Sequence, residues 1–133
     1  MPKSPPQLSR FELQVLRLLW TRGEAAVAQL HGDIPDAPSY STIRKIVERL
    51  EQKGAIERVR VDGQAVIYRA ALPRTAVIRH EIRRFLDVMF DGAAGPLVAH
   101  LADMDAVSLD DLKNLERHVA PKTKARRKAK ENP

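Results

Sequence analysis

The residues of this chain best suited to chemistry lie between Ser39 and Arg60, and the chemistry they suit is recognition. Ser39, Ser41 and Thr42 crowd one short segment, with Tyr40 among them and Arg44, Lys45 and Arg49 close behind. Hydroxyls both donate and accept hydrogen bonds, while Arg and Lys favour phosphate oxygens and the O6 and N7 atoms of guanine. In the same stretch, SYSTIRKIVERLEQK, the apolar residues Ile43, Ile46, Val47 and Leu50 recur at i, i+3, i+4 and i+7. That spacing predicts a helix with one buried stripe and a polar opposite face. A helix that is dry on one side and starts with hydroxyls and cations is what the major groove of DNA accepts. Tyr40, Ser41, Thr42, Arg44, Lys45 and Arg49 are therefore candidate DNA-binding residues.

Nothing else in the chain points to making or breaking bonds. His31, His80, His100 and His118 form no pair with metal-ligand spacing. Asp110-Asp111 opens a predicted helix, where negative charge complements the N-terminal dipole. Gly92 and Gly95 are too sparse for a phosphate cradle and read as a turn, and no nucleophile elbow is present. The chain has no cysteine, which excludes disulfides and thiolate metal sites. The expectation is a binding protein with no catalytic residues, no metal and no cofactor.

Elements on either side must position the recognition helix. Ser9-x-x-Glu12 is a capping box, in which each side chain satisfies the other residue's backbone N–H. Leu8 and Leu13 can form the accompanying staple. Leu13, Leu16, Leu19 and Trp20, widened by Val15 and Leu18, make the buried stripe of a first helix that Gly23 ends. Ala25-Ala26-Val27 reads as a short extended piece, and Val27 to His31 as a short second helix with Leu30 inward. The prolines within Asp33–Pro38 break any helix and lead into the recognition segment. Gly54 stands at the C′ position after it, where a left-handed turn ends a helix. IERVRV-DG-QAVIYRA then predicts a hairpin closed by Asp62-Gly63. In that register Val59, Val61, Val66 and Tyr68 share one face, and Arg58, Arg60 and Arg69 share the other with Ile67. Arg58 and Arg60 join the candidate DNA contacts as residues of a wing.

A second block begins after Leu72-Pro73. Ile78, Ile82, Phe85, Leu86, Met89 and Phe90 keep helical spacing. Residues 91–95 form a hinge, and Pro96 suits the first turn of another helix that carries Leu97, Val98 and Leu101. Ser108 is the expected N-cap of a last helix lined by Leu109, Leu112, Leu115 and Val119. A block this short buries too little surface to stand alone, yet most of its large side chains are apolar. The surplus face most simply meets its own copy, since symmetric dimers are the commonest closed assembly and two linked half-sites raise affinity. The expected dimerisation residues are Ile78, Ile82, Phe85, Leu86, Met89, Phe90, Leu97, Leu101, Leu112 and Leu115. The alternative is that these helices pack only on the first domain.

The expected fold is mainly α with a small β-wing. Residues 1–7 are a Pro-rich disordered N-terminus, 8–73 a winged helix-turn-helix domain, 74–120 a three-helix dimerisation domain and 121–133 a basic disordered tail. Charge follows this division. Residues 1–73 hold 11 Lys and Arg against 8 Asp and Glu, 74–120 hold 6 against 8, and 121–133 hold 6 against 1. A net charge of +6 and a pI near 10.0 suit a polyanionic partner. The first ten residues contain no apolar signal region, and no apolar run nears the roughly 18 residues that span a bilayer. A cytoplasmic protein without membrane insertion is expected.

Four segments resemble the penicillinase-repressor family, the BlaI/MecI type: ELQVLRLLW (12–20), SYSTIRKIVERLEQKGAIERV (39–59), VIYRA (66–70) and FLDVMFDGAAGPLVAHL (85–101). They span roughly Leu8 to Ala120, and the last is the most specific. The resemblance implies a homodimeric transcriptional repressor that occludes a promoter by binding double-stranded DNA at a palindromic operator. Carried over, Ser41, Thr42, Arg44 and Lys45 would read bases, and Arg49, Arg58 and Arg60 would touch phosphate or groove. Ser41 stands where relatives often carry threonine, and Arg44-Lys45 is more basic than the usual pattern. Antibiotic-responsive relatives are released when a membrane metalloprotease sensor signals cleavage at an Asn-Phe bond. The matching pair here is His100-Leu101, a departure from that pattern. Copper-responsive relatives use a Cys-rich motif, which a chain without cysteine lacks. Two other readings stand beside this one: a nonspecific architectural DNA-binding protein, and a winged-helix module for protein interaction.

Overall fold

The structure is a computed structural model that describes residues 5–119. The basic tail expected to be disordered lies outside those residues. In chain order the elements are α1 (Arg10–Arg22), β1 (Glu24–Ala25), α2 (Val27–Asp33), α3 (Tyr40–Gln52), β2 (Ile56–Asp62), β3 (Ala65–Ala70), α4 (Arg74–Phe90) and α5 (Ala94–Asp103). The chain is helical again over 109–119. It divides into two compact units inside α4, Met1–Arg83 and Arg84–Pro133.

The first unit is a three-helix core with a small antiparallel sheet in the order β1-β3-β2. The capping box forms: Ser9 N–H donates to Glu12 Oε1 at 3.0 Å, and Glu12 N–H donates to Ser9 Oγ at 3.2 Å. Val15, Leu16 and Leu19 of α1, Leu30 of α2, and Ile43, Val47 and Leu50 of α3 make the buried centre, with Leu13, Leu18 and Trp20 partly buried around it. Trp20 Nε1–H donates to the Leu72 carbonyl at 3.0 Å and anchors the chain as it leaves β3. Arg22 donates to Asp33 through both Nε and Nη2, which ties the end of α1 to the end of α2.

Glu12 also does what the capping box alone does not predict. It is 4% exposed, and Lys53 Nζ–H, just past α3, donates to its Oε1 at 2.8 Å and to the Gln7 carbonyl at 3.0 Å. Burial pushes the Glu12 carboxyl up, but the Lys53 ammonium and the Ser9 N–H and hydroxyl outweigh it and hold the group below its ordinary value.

The end of α3 is a Schellman motif. Gly54 takes a φ of 76°, its N–H donates to the Glu51 carbonyl, and Ala55 N–H donates to the Leu50 carbonyl. The wing departs from the expected register. Asp62 stays in β2 and pairs with Ala65, so Gly63-Gln64 is the loop. Gly63 alone has positive φ there, the pattern of a turn led by glycine and not of one needing positive φ at both positions. An irregularity between Arg58 and Arg60 then leaves Val59 unpaired, with Arg58 opposite Tyr68 and Arg60 opposite Ile67. An extra residue flips the side chains beyond it to the other face. Arg58 therefore shares the Tyr68 face, not that of Arg60, Ile67 and Arg69. The Glu24–Ala25 piece is also more than an extended connection, because it pairs with β3 as a third strand.

The second unit has a different character. None of its described residues is buried. Phe85 (48% exposed), Val88 (73%) and Met89 (61%) lie open on α4. Val98, Met104, Leu109, Leu112, Leu115 and Val119 are exposed as well. The Phe90 ring meets Phe85 at 5.9 Å and His100 at 5.7 Å. Ser108 caps the 109–119 helix in a reciprocal pair: its N–H donates to Asp111 Oδ2, and Asp111 N–H donates to Ser108 Oγ. No single described helix is long and apolar enough to cross a membrane.

Candidate nucleic-acid interface

Helix α3 sets the geometry of the site. Its buried stripe, Ile43, Ile46, Val47 and Leu50, faces the core, so Ser41, Thr42, Arg44, Lys45, Glu48 and Arg49 are left exposed. At the N-terminus, Ser39 Oγ accepts from the Thr42 N–H at 3.3 Å and lies 3.1 Å from Ser41 Oγ and 2.9 Å from Thr42 Oγ1. The three hydroxyls thus form one small network in which Ser39 is fully used, while Ser41 and Thr42 keep capacity for a further bond.

The turn before α3 is held by a residue that sequence reasoning passed over. His31 Nε2 lies 3.0 Å from the Pro38 carbonyl, and the His31 ring meets Tyr40 edge-on with centroids 6.0 Å apart. His31 therefore fixes both the last residue of the turn and the first residue of α3. No local pattern signals this, because the contact depends on how α2 and α3 cross.

A cleft of about 370 Å³ separates α3 from the wing and is lined by Tyr40, Arg44 and Glu48 on one side and Arg58, Gln64 and Tyr68 on the other. Tyr68 is 5% exposed. Burial pushes its hydroxyl up and Arg58 offsets part of that, so the group remains a neutral phenol. The altered register is what brings Tyr68 and Arg58 to one side of the wing and makes this wall of the cleft.

The cations fall into two groups. Arg44 Nε lies 3.4 Å from Glu48 Oε1. Arg58 donates through Nε to Glu51 Oε2 at 2.7 Å and through Nη2 to Glu51 Oε1 at 3.3 Å. Arg60 donates to Glu24 and Arg69 to Glu57, each at 2.6 Å. Lys45 and Arg49 have no ion-pair partner among the described residues. Of the residues named from sequence, the structure brings Tyr40, Arg44 and Arg58 to the cleft, leaves Ser41, Thr42, Lys45 and Arg49 on the exposed face of α3, and turns Arg60 to the opposite side of the wing. In the second unit, His100 is exposed and Leu101 half-buried, both inside α5.

A three-helix core whose third helix is flanked by a β-hairpin defines a winged-helix fold. The likeness to solved structures is of the same kind. Against a complex structure of RosR from H. salinarum the TM-score is 0.54 at 13% identity, over 92% of this chain and 95% of that one. Against a cysteine-to-serine mutant of MarR from E. coli the TM-score is 0.50 at 16% identity, over 89% and 79%. At such identities the likeness shows the fold alone. No curated protein matched the sequence. Residues 8–120 match the family described as Penicillinase repressor, and the chain belongs to that family. It is a DNA-binding transcriptional repressor, not an enzyme.

Proposed function

We propose that this repressor acts as a homodimer on a palindromic operator and excludes transcription by covering promoter DNA. The observation that carries the dimer is the second unit, which exposes Phe85, Val88, Met89, Met104 and Leu109 and has no buried residue among those described. Amphipathic helices without a buried core are not stable alone. A second copy presents the same apolar faces, so one symmetric contact covers both sets at once. Ile78, Ile82, Leu86, Phe90, Leu97, Leu101, Leu112 and Leu115 complete the set assigned to that contact.

On the DNA side, Ser41, Thr42, Arg44 and Lys45 are assigned to base edges, Arg49 and Arg58 to phosphate or groove, and Tyr40 to the mouth of the cleft. Arg60, which the bulge turns from the cleft, is assigned to the DNA backbone. Release is assigned to the second unit, where a break at His100-Leu101 would cut α5 and divide the apolar surface. A membrane metalloprotease sensor is the partner that family membership suggests for that step. The compartment is the one that holds the DNA, the cytoplasm.

Sedimentation equilibrium tests the core of this reading. A mass of twice 15.0 kDa at micromolar concentration is expected. A monomer that still binds DNA at full affinity would overturn it.

A further inference from the structure

The wing carries arginines but little free positive charge. Arg58, Arg60 and Arg69 are bonded to Glu51, Glu24 and Glu57, and Asp62 adds a further carboxylate at the turn. Each guanidinium already holds a counter-charge from its own chain. When a cation neutralised in this way moves to a phosphate it displaces the DNA's condensed counterion but leaves a bare carboxylate that draws a cation back, so it adds little net to the electrostatic term that drives nonspecific binding. On the exposed face of α3, Lys45 and Arg49 are the cations without an ion-pair partner among the described residues.

We infer that Glu51 is a specificity-determining residue that restrains Arg58, withholding it from arbitrary DNA and yielding it only where the bound sequence offers a better partner. The pair is built for this. Glu51 engages Arg58 along one edge, through Nε and Nη2, and the same arginine lines the α3–wing cleft. A lone phosphate on random DNA exchanges one anion for another and gains little. A guanine edge or a phosphate fixed in the cleft offers the guanidinium a two-point partner in place of Glu51, and the correct base contacts that fix it there, absent on random DNA, favour the exchange. Arg58 is exposed and Glu51 half-buried, with side-chain exposures of 59% and 29%, so the exchange needs no fully buried group to be uncovered. Glu48 stands in the same relation to Arg44, more loosely at 3.4 Å.

This inference rests on the DNA-binding face proposed above, and the test separates the two. Binding of wild type, Glu51→Gln, Arg58→Ala and the double variant to random-sequence duplex is measured as a function of salt, alongside the captured operator. Wild type binding no DNA would remove the face itself. If the face holds, Glu51→Gln is expected to tighten random-duplex binding about twofold to fivefold and to steepen the salt slope by about 0.9, one additional phosphate. The ratio of operator to random affinity falls. The gain disappears in the double variant, because it acts through Arg58. Three results would overturn the inference: an unchanged slope in Glu51→Gln, a gain that survives in the double variant, or a loss confined to the operator, which would make Glu51 an orienting group.

Discussion

Lys45 and Arg49 differ in what each can contribute, although both are exposed on α3 without an ion-pair partner among the described residues. Lys45 lies in the first half of the helix, among the hydroxyls assigned to base edges, and Arg49 lies a turn later. Lys45→Ala is expected to cost about 1–3 kcal/mol on the operator and to blur preference at one base position. Arg49→Ala should weaken all sequences alike and lower the salt slope by about 1. Competition titrations over single-base operator variants distinguish the two outcomes, and uniform weakening by Lys45→Ala would reassign it to phosphate. Ser41, Thr42, Arg44 and Lys45 were all nameable from sequence, because helical spacing decides which side chains a buried stripe leaves outside. The pairing of Arg58 with Glu51 and of Arg60 with Glu24 was not nameable, since each pair joins different elements and depends on how they meet.

At the scale of elements, the features set by local geometry were legible. The Ser9–Glu12 capping box, the Gly54 turn and the stripe of α3 each depend on residues within a few positions of one another, and each stands in the structure as its spacing predicts. The features that failed were tertiary. The loop of the wing moved by one residue and Val59 bulged, which exchanged the face of Arg58. β1 gained a partner in β3, and a strand of two residues carries no period to read. Glu12 joined α1 to the end of α3 through Lys53, a contact that makes the first and third helices one mechanical unit. Because the folded state holds the Glu12 carboxyl below its ordinary value, its contribution to stability is full above the unfolded glutamate pKa and is lost as pH falls through the folded one. Glu12→Gln should therefore destabilise the protein by about 1–2 kcal/mol at neutral pH, with the gap to wild type closing in acid. Urea unfolding at a series of pH values checks this, and a gap independent of pH would show that the carboxylate charge is not what stabilises the contact.

At the scale of the molecule, the two units pose opposite problems. The first has a closed core of α1, α2, α3 and the sheet. The second has exposed apolar side chains and no described residue buried. The proposed dimer would resolve the second problem and give the first a paired readout, since linking two half-sites makes the second contact intramolecular. Met89→Glu is expected to shift the sedimenting species toward monomer and to weaken operator binding at least tenfold at nanomolar protein, while the isolated reading face is untouched. Val88→Glu, on the most exposed of the large apolar positions of α4, provides a second variant should the first impair folding. The sequence showed the amphipathic pattern of these helices but not which residues remain uncovered, because that depends on how α4, α5 and the 109–119 helix meet one another.

The most direct test of the central claim, a repressor that selects its sites, is capture of sheared genomic DNA by the purified protein at near-physiological salt, followed by sequencing. A repressor of this kind yields a few sharp peaks that share a palindrome and lie over promoters. Broad recovery without a shared motif, lost as salt rises, would contradict it and leave a charge-driven binder of DNA.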